Sequence, residues 1–234
     1  MTKGRLIGVG TGPGDPELVT RKAWDTVARA KVIAYPAPDS GISFARSIVA
    51  DAISEGTIEI PMIVPMRGAR TPAQDVYDEG AKAIADKLDD GFDVAVLCEG
   101  DPLFFGSFMY LHSRLKDRYD VEIIPGVTAM TACAAASHHA LVAREDMMTI
   151  LPATMADAEM EAAIAAAQGV AIMKVGRHLP RVRDLLDNMG LADQAQFISY
   201  ASLPNQQIYP LQEAPEKVPY FSMILLYKGD DPWL

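Results

Sequence analysis

Cysteine and histidine are scarce in this sequence: two cysteines, Cys98 and Cys133, and four histidines, His112, His138, His139 and His178. Both cysteines sit inside apolar runs, and neither residue type occurs in Cys-x-x-Cys or His-x-x-x-His spacing. Buried, reduced thiols are therefore expected, with no disulfide framework and no bound metal. Long hydrophobic runs are missing too. No segment reaches the roughly 18 apolar residues of a membrane span, and Met1-Thr-Lys-Gly-Arg leads straight into a strand without a signal-type core. Positive charge is in deficit, 21 Lys and Arg against 31 Asp and Glu for a net charge of −10. That balance argues against a nucleic-acid backbone as the main partner. Half of the residues are hydrophobic and no low-complexity tract occurs, which excludes a disordered chain. A cytoplasmic, soluble protein with no membrane partner is the expectation.

Strand-like and helix-like segments alternate from end to end. Short apolar runs are expected as strands at 5–9, 31–35, 57–60, 94–98, 121–124, 147–151, 170–175 and 197–201. Between them, helical spacing covers 17–30, 43–53, 73–90, 105–116, 127–137, 158–167 and 180–189. A hairpin-like pair around Gln207 to Leu211 and Tyr220 to Tyr227 closes the chain. The 234 residues suit one large domain or two of about 110 each. A boundary near 116–125 makes the expected domains 1–118 and 119–234. No strict internal repeat is visible.

Two stretches carry chemistry. Val94 to Cys98 is a continuous apolar run, the pattern of a parallel strand buried on both faces. It ends abruptly at Glu99-Gly100-Asp101-Pro102, and a helical, aromatic stretch follows. Carboxylates on a tight turn just past a buried strand lie where open α/β sheets bind ligands; the same turn would also serve simply to cap the next helix. The second stretch, Gly10-Thr-Gly-Pro-Gly-Asp-Pro16, is a constrained loop between strand and helix. It fits a phosphate or dinucleotide template badly, because Pro13 and Pro16 interrupt the helix entry and no Gly-Lys-Ser/Thr follows. Met109, His112 and Leu115 read as core packing.

Three segments then occur in order: Gly8-Val-Gly-Thr-Gly-Pro-Gly-Asp-Pro-Glu-Leu-Val-Thr, Glu99-Gly-Asp-Pro-Leu-Phe-Phe-Gly-Ser, and Ile124-Pro-Gly-Val-Thr-Ala. Together they resemble the tetrapyrrole methyltransferases, the class III enzymes that use S-adenosylmethionine. The resemblance extends through Met173-Lys-Val-Gly-Arg to Tyr220-Phe-Ser-Met-Ile-Leu-Leu. It implies an α/β fold of two domains with a cofactor cleft between them. The first would carry the substrate trough and Gly-rich loop, and the second would complete the S-adenosylmethionine site. Within the family, the Glu-Gly-Asp-Pro turn, Leu151-Pro-Ala-Thr and Met173-Lys-Val-Gly-Arg look like the precorrin-2 C-20 methyltransferases of cobalamin synthesis.

The resemblance also implies roles. Glu99, Gly100 and Asp101 would hold the methionine end of the cofactor, with Phe104 as a wall and Thr128 and Ala129 in close approach. Val175 and Ala201 would offer backbone to the adenosine, and Met223 would lie near the adenine. Pro13 would border the substrate trough, with Gly14 and Asp15 beside it. Arg67 belongs to a pool with Arg21, Arg46, Arg70, Arg114, Arg144 and Arg177 from which carboxylate clamps would come, gathered in the cleft. Of Asp101, Asp15, Glu99 and Tyr110, Asp101 and then Tyr110 are the candidate proton-handling residues. Products would be a methylated precorrin and S-adenosylhomocysteine; family members are usually homodimers. Alternatives are the cobalt-containing acceptor of the anaerobic route, with His112, His138 and His139 keeping a cobalt ligand open, another precorrin carbon, diphthine formation, or a non-catalytic cofactor-binding module.

Overall fold

The computed structural model describes residues 2–39, 41–64 and 71–229. The chain divides into two compact units, 1–128 and 129–234. The division falls after Thr128 and not after residue 118. The reason is strand β5 (Val121–Ile124), which pairs with β1 (Leu6–Gly10) and so belongs to the first unit.

The first unit is a five-stranded sheet. Its other strands are β2 (Val32–Pro38), β3 (Ile58–Val64) and β4 (Val94–Cys98), in the order β3-β2-β4-β1-β5. Every pairing in it is parallel. Strands β1 and β4 are buried along their whole length, as runs without alternation require when helices cover both faces. Helix α1 (Arg21–Arg29) packs Ala23 and Val27 onto one face, against Ile7, Val9, Ala95 and Leu97, and α2 (Phe44–Ile48) joins it through Ala45 and Ile48. Helices α3 (Thr71–Asp89) and α4 (Phe108–Leu115) cover the other face, where Tyr77, Ile84, Phe108 and Leu111 meet Leu6, Val94 and Val96. Helix α1 therefore leaves β1 on one side of the sheet and α4 leaves the adjacent β4 on the other. The carboxyl ends of β1 and β4 form a topological switch point, the crevice position at which open α/β sheets take ligands.

Two expected helices start later than their apolar spacing suggested. Pro16–Leu18 forms a separate 3-10 turn capped by Asp15, and α1 begins only after Thr20, whose Oγ1 accepts from the Ala23 N–H at 3.2 Å. The stretch after Pro102 stays irregular to Ser107, with Phe105 at φ +54°, before α4 begins.

A polar cluster ties α2 to the sheet edge. Arg46 donates from Nε and Nη2 to the two carboxylate oxygens of Glu59, both at 2.7 Å, and the Tyr35 hydroxyl donates to Glu59 Oε2 at 2.5 Å. The Arg46 hydrogen bonds hold the Glu59 carboxyl at about 2, down from the ordinary 4.5. A carboxyl depressed in the native state stabilises it fully above its unfolded value, and the contribution disappears as pH falls through the native value. Side-chain exposures of 31% and 28% let solvent screen the pair. Glu59→Gln should thus cost on the order of 2 kcal/mol at pH 7. The gap to wild type should close between about pH 4.5 and 2, as read by urea titrations at several pH values.

The second unit is a mixed five-stranded sheet in the order β6-β7-β10-β8-β9: β6 (Met148–Pro152), β7 (Gly169–Met173), β8 (Ala195–Ser199), β9 (Gln207–Pro210) and β10 (Ser222–Tyr227). The expected closing hairpin does not form. Strand β10 inserts between β7 and β8, antiparallel to both, and β9 pairs with the far side of β8. Helices α6 (Asp157–Ala166) and α7 (Leu179–Asn188) fill one core with Met160, Ile164, Val182 and Leu186. On the other face, the alanine-rich α5 (Ala129–Ser137) lies close to Ala171, Ile198 and Leu225. Among the described residues, no helix is long and apolar enough to cross a membrane.

Candidate active site

Three loops of the first unit converge at the switch point: the one after β1, the one after β4, and the one after β5. The Thr11 N–H and hydroxyl both donate to the Cys98 carbonyl, at 2.8 and 3.0 Å. One residue further, the Gly12 N–H donates to the Gly100 carbonyl at 3.2 Å and the Gly100 N–H to the Gly12 carbonyl at 2.8 Å. Gly12 and Gly100 sit at φ +75° and +63°, which glycine adopts without strain. Gly126 closes the knot: a Cβ there would overlap the Gly100 carbonyl oxygen, and one on Gly10 would lie 2.6 Å from the Gly126 nitrogen. The glycines let three backbones touch. Both backbone polar groups of Gly100 are spent on Gly12.

Asp101 ties the knot to its neighbours. Its Oδ1 accepts from the Leu103 N–H at 2.9 Å and its Oδ2 from the Gly126 N–H at 3.0 Å. The carboxylate is a brace across two loops. Asp15 Oδ1 accepts from the Glu17 N–H at 2.9 Å, capping the short 3-10 turn beside Pro13 and the buried Gly14. Glu99 differs from both, with no hydrogen bond or ion pair to any described residue. Its side chain is reachable by solvent, yet burial among protein atoms pushes its carboxyl up to about 7. Contact with water tempers that rise without changing its direction.

Phe104 is half-buried and meets Phe105 edge-to-face at 5.3 Å. Tyr110 stacks on Tyr77 of α3, at 4.9 Å between centroids, on the flank of α4. Arg46 and Arg114 are engaged in ion pairs, with Glu59 and Asp78. Arg177 lies beside His178. Arg21, at the start of α1, has no partner among the described residues. Arg67 and Arg70 lie outside the described residues. Both thiols are pushed up to about 12 by burial, as buried, inert cysteines require. Among the described residues no group of three His, Cys, Asp or Glu side chains is placed to hold a metal.

In the second unit, Ala129 opens α5, and Ala201 and Met223 pack with Ala132, Cys133 and Ile198. Val175 lies in the opposite core, and its carbonyl accepts from the His178 N–H at 2.6 Å. Thr128 immediately precedes α5. The tight turn at Val175 follows Lys174, which holds φ +57°. The glycine knot is the feature the linear sequence conceals most completely. Gly10, Gly100 and Gly126 are visible there as single glycines, and only strand order reveals that they meet.

The model of the family described as Tetrapyrrole (Corrin/Porphyrin) Methylases matches residues 5–215. The precorrin-2 C(20)-methyltransferase of Sinorhizobium sp is 43% identical over 232 residues, covering 95% of each chain. The cobalt-precorrin-2 C(20)-methyltransferase of Salmonella typhimurium is 31% identical over 229 residues, covering 96% of this chain and 97% of that one. Among solved structures, cobalt precorrin-4 methyltransferase superposes with a TM-score of 0.71 at 22% identity, covering 95% and 94% of the two chains. Uroporphyrin-III C-methyltransferase from Thermus thermophilus, complexed with S-adenosylhomocysteine, gives 0.65 at 22% identity, covering 95% and 97%. The switch-point loops, the two α/β units and a family match over most of the sequence agree: the chain belongs to the tetrapyrrole (corrin/porphyrin) methylases.

Proposed function

We propose that the protein transfers a methyl group from S-adenosylmethionine to carbon 20 of precorrin-2, giving precorrin-3A in cobalamin biosynthesis. The observation that carries this reading is the near-full-length identity of 43% to a precorrin-2 C(20)-methyltransferase. The lower identity to a relative named for the cobalt form, 31%, favours the metal-free acceptor. The residues present fit a cationic methyl donor. Asp15 and Asp101 place negative charge on the switch-point loops, and Phe104 supplies a half-buried apolar wall.

When bound, S-adenosylmethionine supplies the methyl group from its sulfonium. In the first unit, Gly100, Asp101 and Phe104 shape the turn that would face the methionine end, held rigid by the backbone pairing to Gly12. Thr128 and Ala129 would approach closely where α5 begins. In the second unit, Val175, Ala201 and Met223 are the proposed adenosine contacts, with small or apolar side chains that leave recognition to the backbone. Pro13, Gly14 and Asp15 would border the tetrapyrrole, and Arg21 and Arg67 are the proposed partners for its carboxylates. Alignment of carbon, methyl and sulfur would supply several kcal/mol of the barrier. A homodimer in the cytoplasm completes the proposal.

Anaerobic incubation of the protein with methyl-labelled S-adenosylmethionine and fresh precorrin-2, with and without cobalt, tests it by NMR of the product. Label on carbon 20 of the metal-free pigment is the expected result. Label on the cobalt form alone would move the enzyme to the cobalt route. Cofactor binding without transfer to either pigment would overturn the reading.

A further inference from the structure

Three carboxylates gather at the switch point, and the structure gives them different employment. Asp101 spends both oxygens on backbone N–H groups, and Asp15 caps a 3-10 turn. Glu99 alone has no partner among the described residues. Its mount is nonetheless rigid. On one side the Cys98 carbonyl accepts two hydrogen bonds from Thr11; on the other, Gly100 is paired through both backbone groups to Gly12. A fixed backbone thus presents a carboxyl that nothing in the fold requires. A rigidly mounted carboxyl without a structural task, at the edge where such sheets bind ligands, points to use in chemistry.

We propose that Glu99 takes up the proton that the acceptor carbon releases when the methyl group replaces its hydrogen. This rests on the reading of the chain as a carbon methyltransferase. The balance is simple. The carbon–sulfur bond breaks with its electron pair left on sulfur, and a π-electron pair of the tetrapyrrole forms the new carbon–carbon bond. The carbon–hydrogen bond then breaks, its electrons restore the conjugation, and the proton passes to the carboxylate. A sulfonium cation and a carboxylate become a neutral thioether and a neutral acid.

The electrostatics suit this task. Burial among protein atoms raises the Glu99 carboxyl from the ordinary 4.5 toward neutral pH, the direction that makes a general base more effective. No charged side chain among the described residues offsets or adds to that effect. The titratable groups flanking it are Cys98 and Asp101. Glu99 and Asp101 add to the burial that pushes the Cys98 thiol up to about 12, so Cys98 remains protonated and does not compete. Tyr110, stacked on Tyr77, has a structural use for its ring that Glu99 lacks.

The test is single-turnover methyl transfer by wild type, Glu99→Gln and Glu99→Asp between pH 5.5 and 9, with cofactor affinity measured alongside by calorimetry. The wild-type rate should rise with pH through a midpoint raised above the ordinary 4.5, toward about 7. Glu99→Gln should be about 10²-fold slower at pH 8 with that rise abolished, and should bind the cofactor within about twofold of wild type. Glu99→Asp should recover part of the rate and the rise. Because the exposed side chain makes no bond within the fold, the denaturation midpoint of Glu99→Gln at pH 8 should match that of wild type, which separates this role from a structural one. An unchanged pH profile in Glu99→Gln overturns the proposal. So does a loss confined to cofactor affinity, which would assign the carboxylate to the cofactor instead. A wild-type enzyme that binds cofactor and methylates no tetrapyrrole would overturn the functional reading itself, and the proposal with it.

Discussion

Gly126→Ala is expected to abolish methyl transfer and to destabilise the first unit by about 3 kcal/mol, more than a typical overpacked side chain costs. The reason is the target of the added atom. A methyl group at residue 126 would occupy the space of the Gly100 carbonyl oxygen and press on the Gly10 Cα at 2.9 Å. Side chains can rotate away from such a clash, but these are main-chain atoms at the ends of β1 and β4, fixed by strand pairing from Leu6↔Val94 to Gly10↔Cys98. Relief therefore demands that the Gly12–Gly100 pairing open. Urea denaturation and cofactor calorimetry on the purified variant give both numbers. Retention of wild-type stability and affinity would show that the three loops adjust without cost, contrary to their close packing.

Asp101→Asn should lower unfolding stability by about 2 kcal/mol and slow transfer at least tenfold while leaving the pH dependence in place. The amide keeps one acceptor oxygen and turns its other end into a donor, so either the Leu103 or the Gly126 N–H loses its partner and faces another donor. Amide hydrogen exchange at Gly126 reports that loss directly and should quicken. The pH profile decides the role of Asp101 itself. If the rise with pH survives in Asp101→Asn, this carboxylate acts as a brace; if it disappears, the assignment of the proton acceptor to Glu99 is overturned.

Much of the scaffold around these residues is legible in the sequence. The unbroken apolar run of β4 and the Gly-rich end of β1 announce buried parallel strands, and the Glu99-Gly-Asp-Pro turn marks where they deliver the chain. The closing strands are not legible in the same way. Gln207 to Leu211 and Tyr220 to Tyr227 are neighbours in the sequence, so a hairpin is the local solution. The observed sheet instead places β8 between them, a choice set by core packing of Phe197 and Ile224 that no local pattern encodes. Glycine likewise has one appearance in a sequence and several uses. Gly100 next to Asp101 suggests a bed for a ligand, whereas its neighbours across space are three other glycines, Gly10, Gly12 and Gly126. The partnering of Asp101 and the solitude of Glu99 depend on the same convergence, and local spacing could not rank them.

The position of β1 between β4 and β5 has a consequence for synthesis. Strand β1 leaves the ribosome well before its partners, because Leu6 pairs with Val94 and Val121. At translation rates of roughly 5–20 residues per second, that delay lasts on the order of 5–20 s. Throughout it, the apolar Leu6-Ile-Gly-Val-Gly segment has no sheet to join, while β2 and β3, adjacent in sequence and in space, can already pair. The nascent chain carries this interior strand unsheathed for longer than any other in the first unit. Chaperone capture of ribosome-bound chains should therefore concentrate on the β1 segment and cease once residues beyond β5 have emerged.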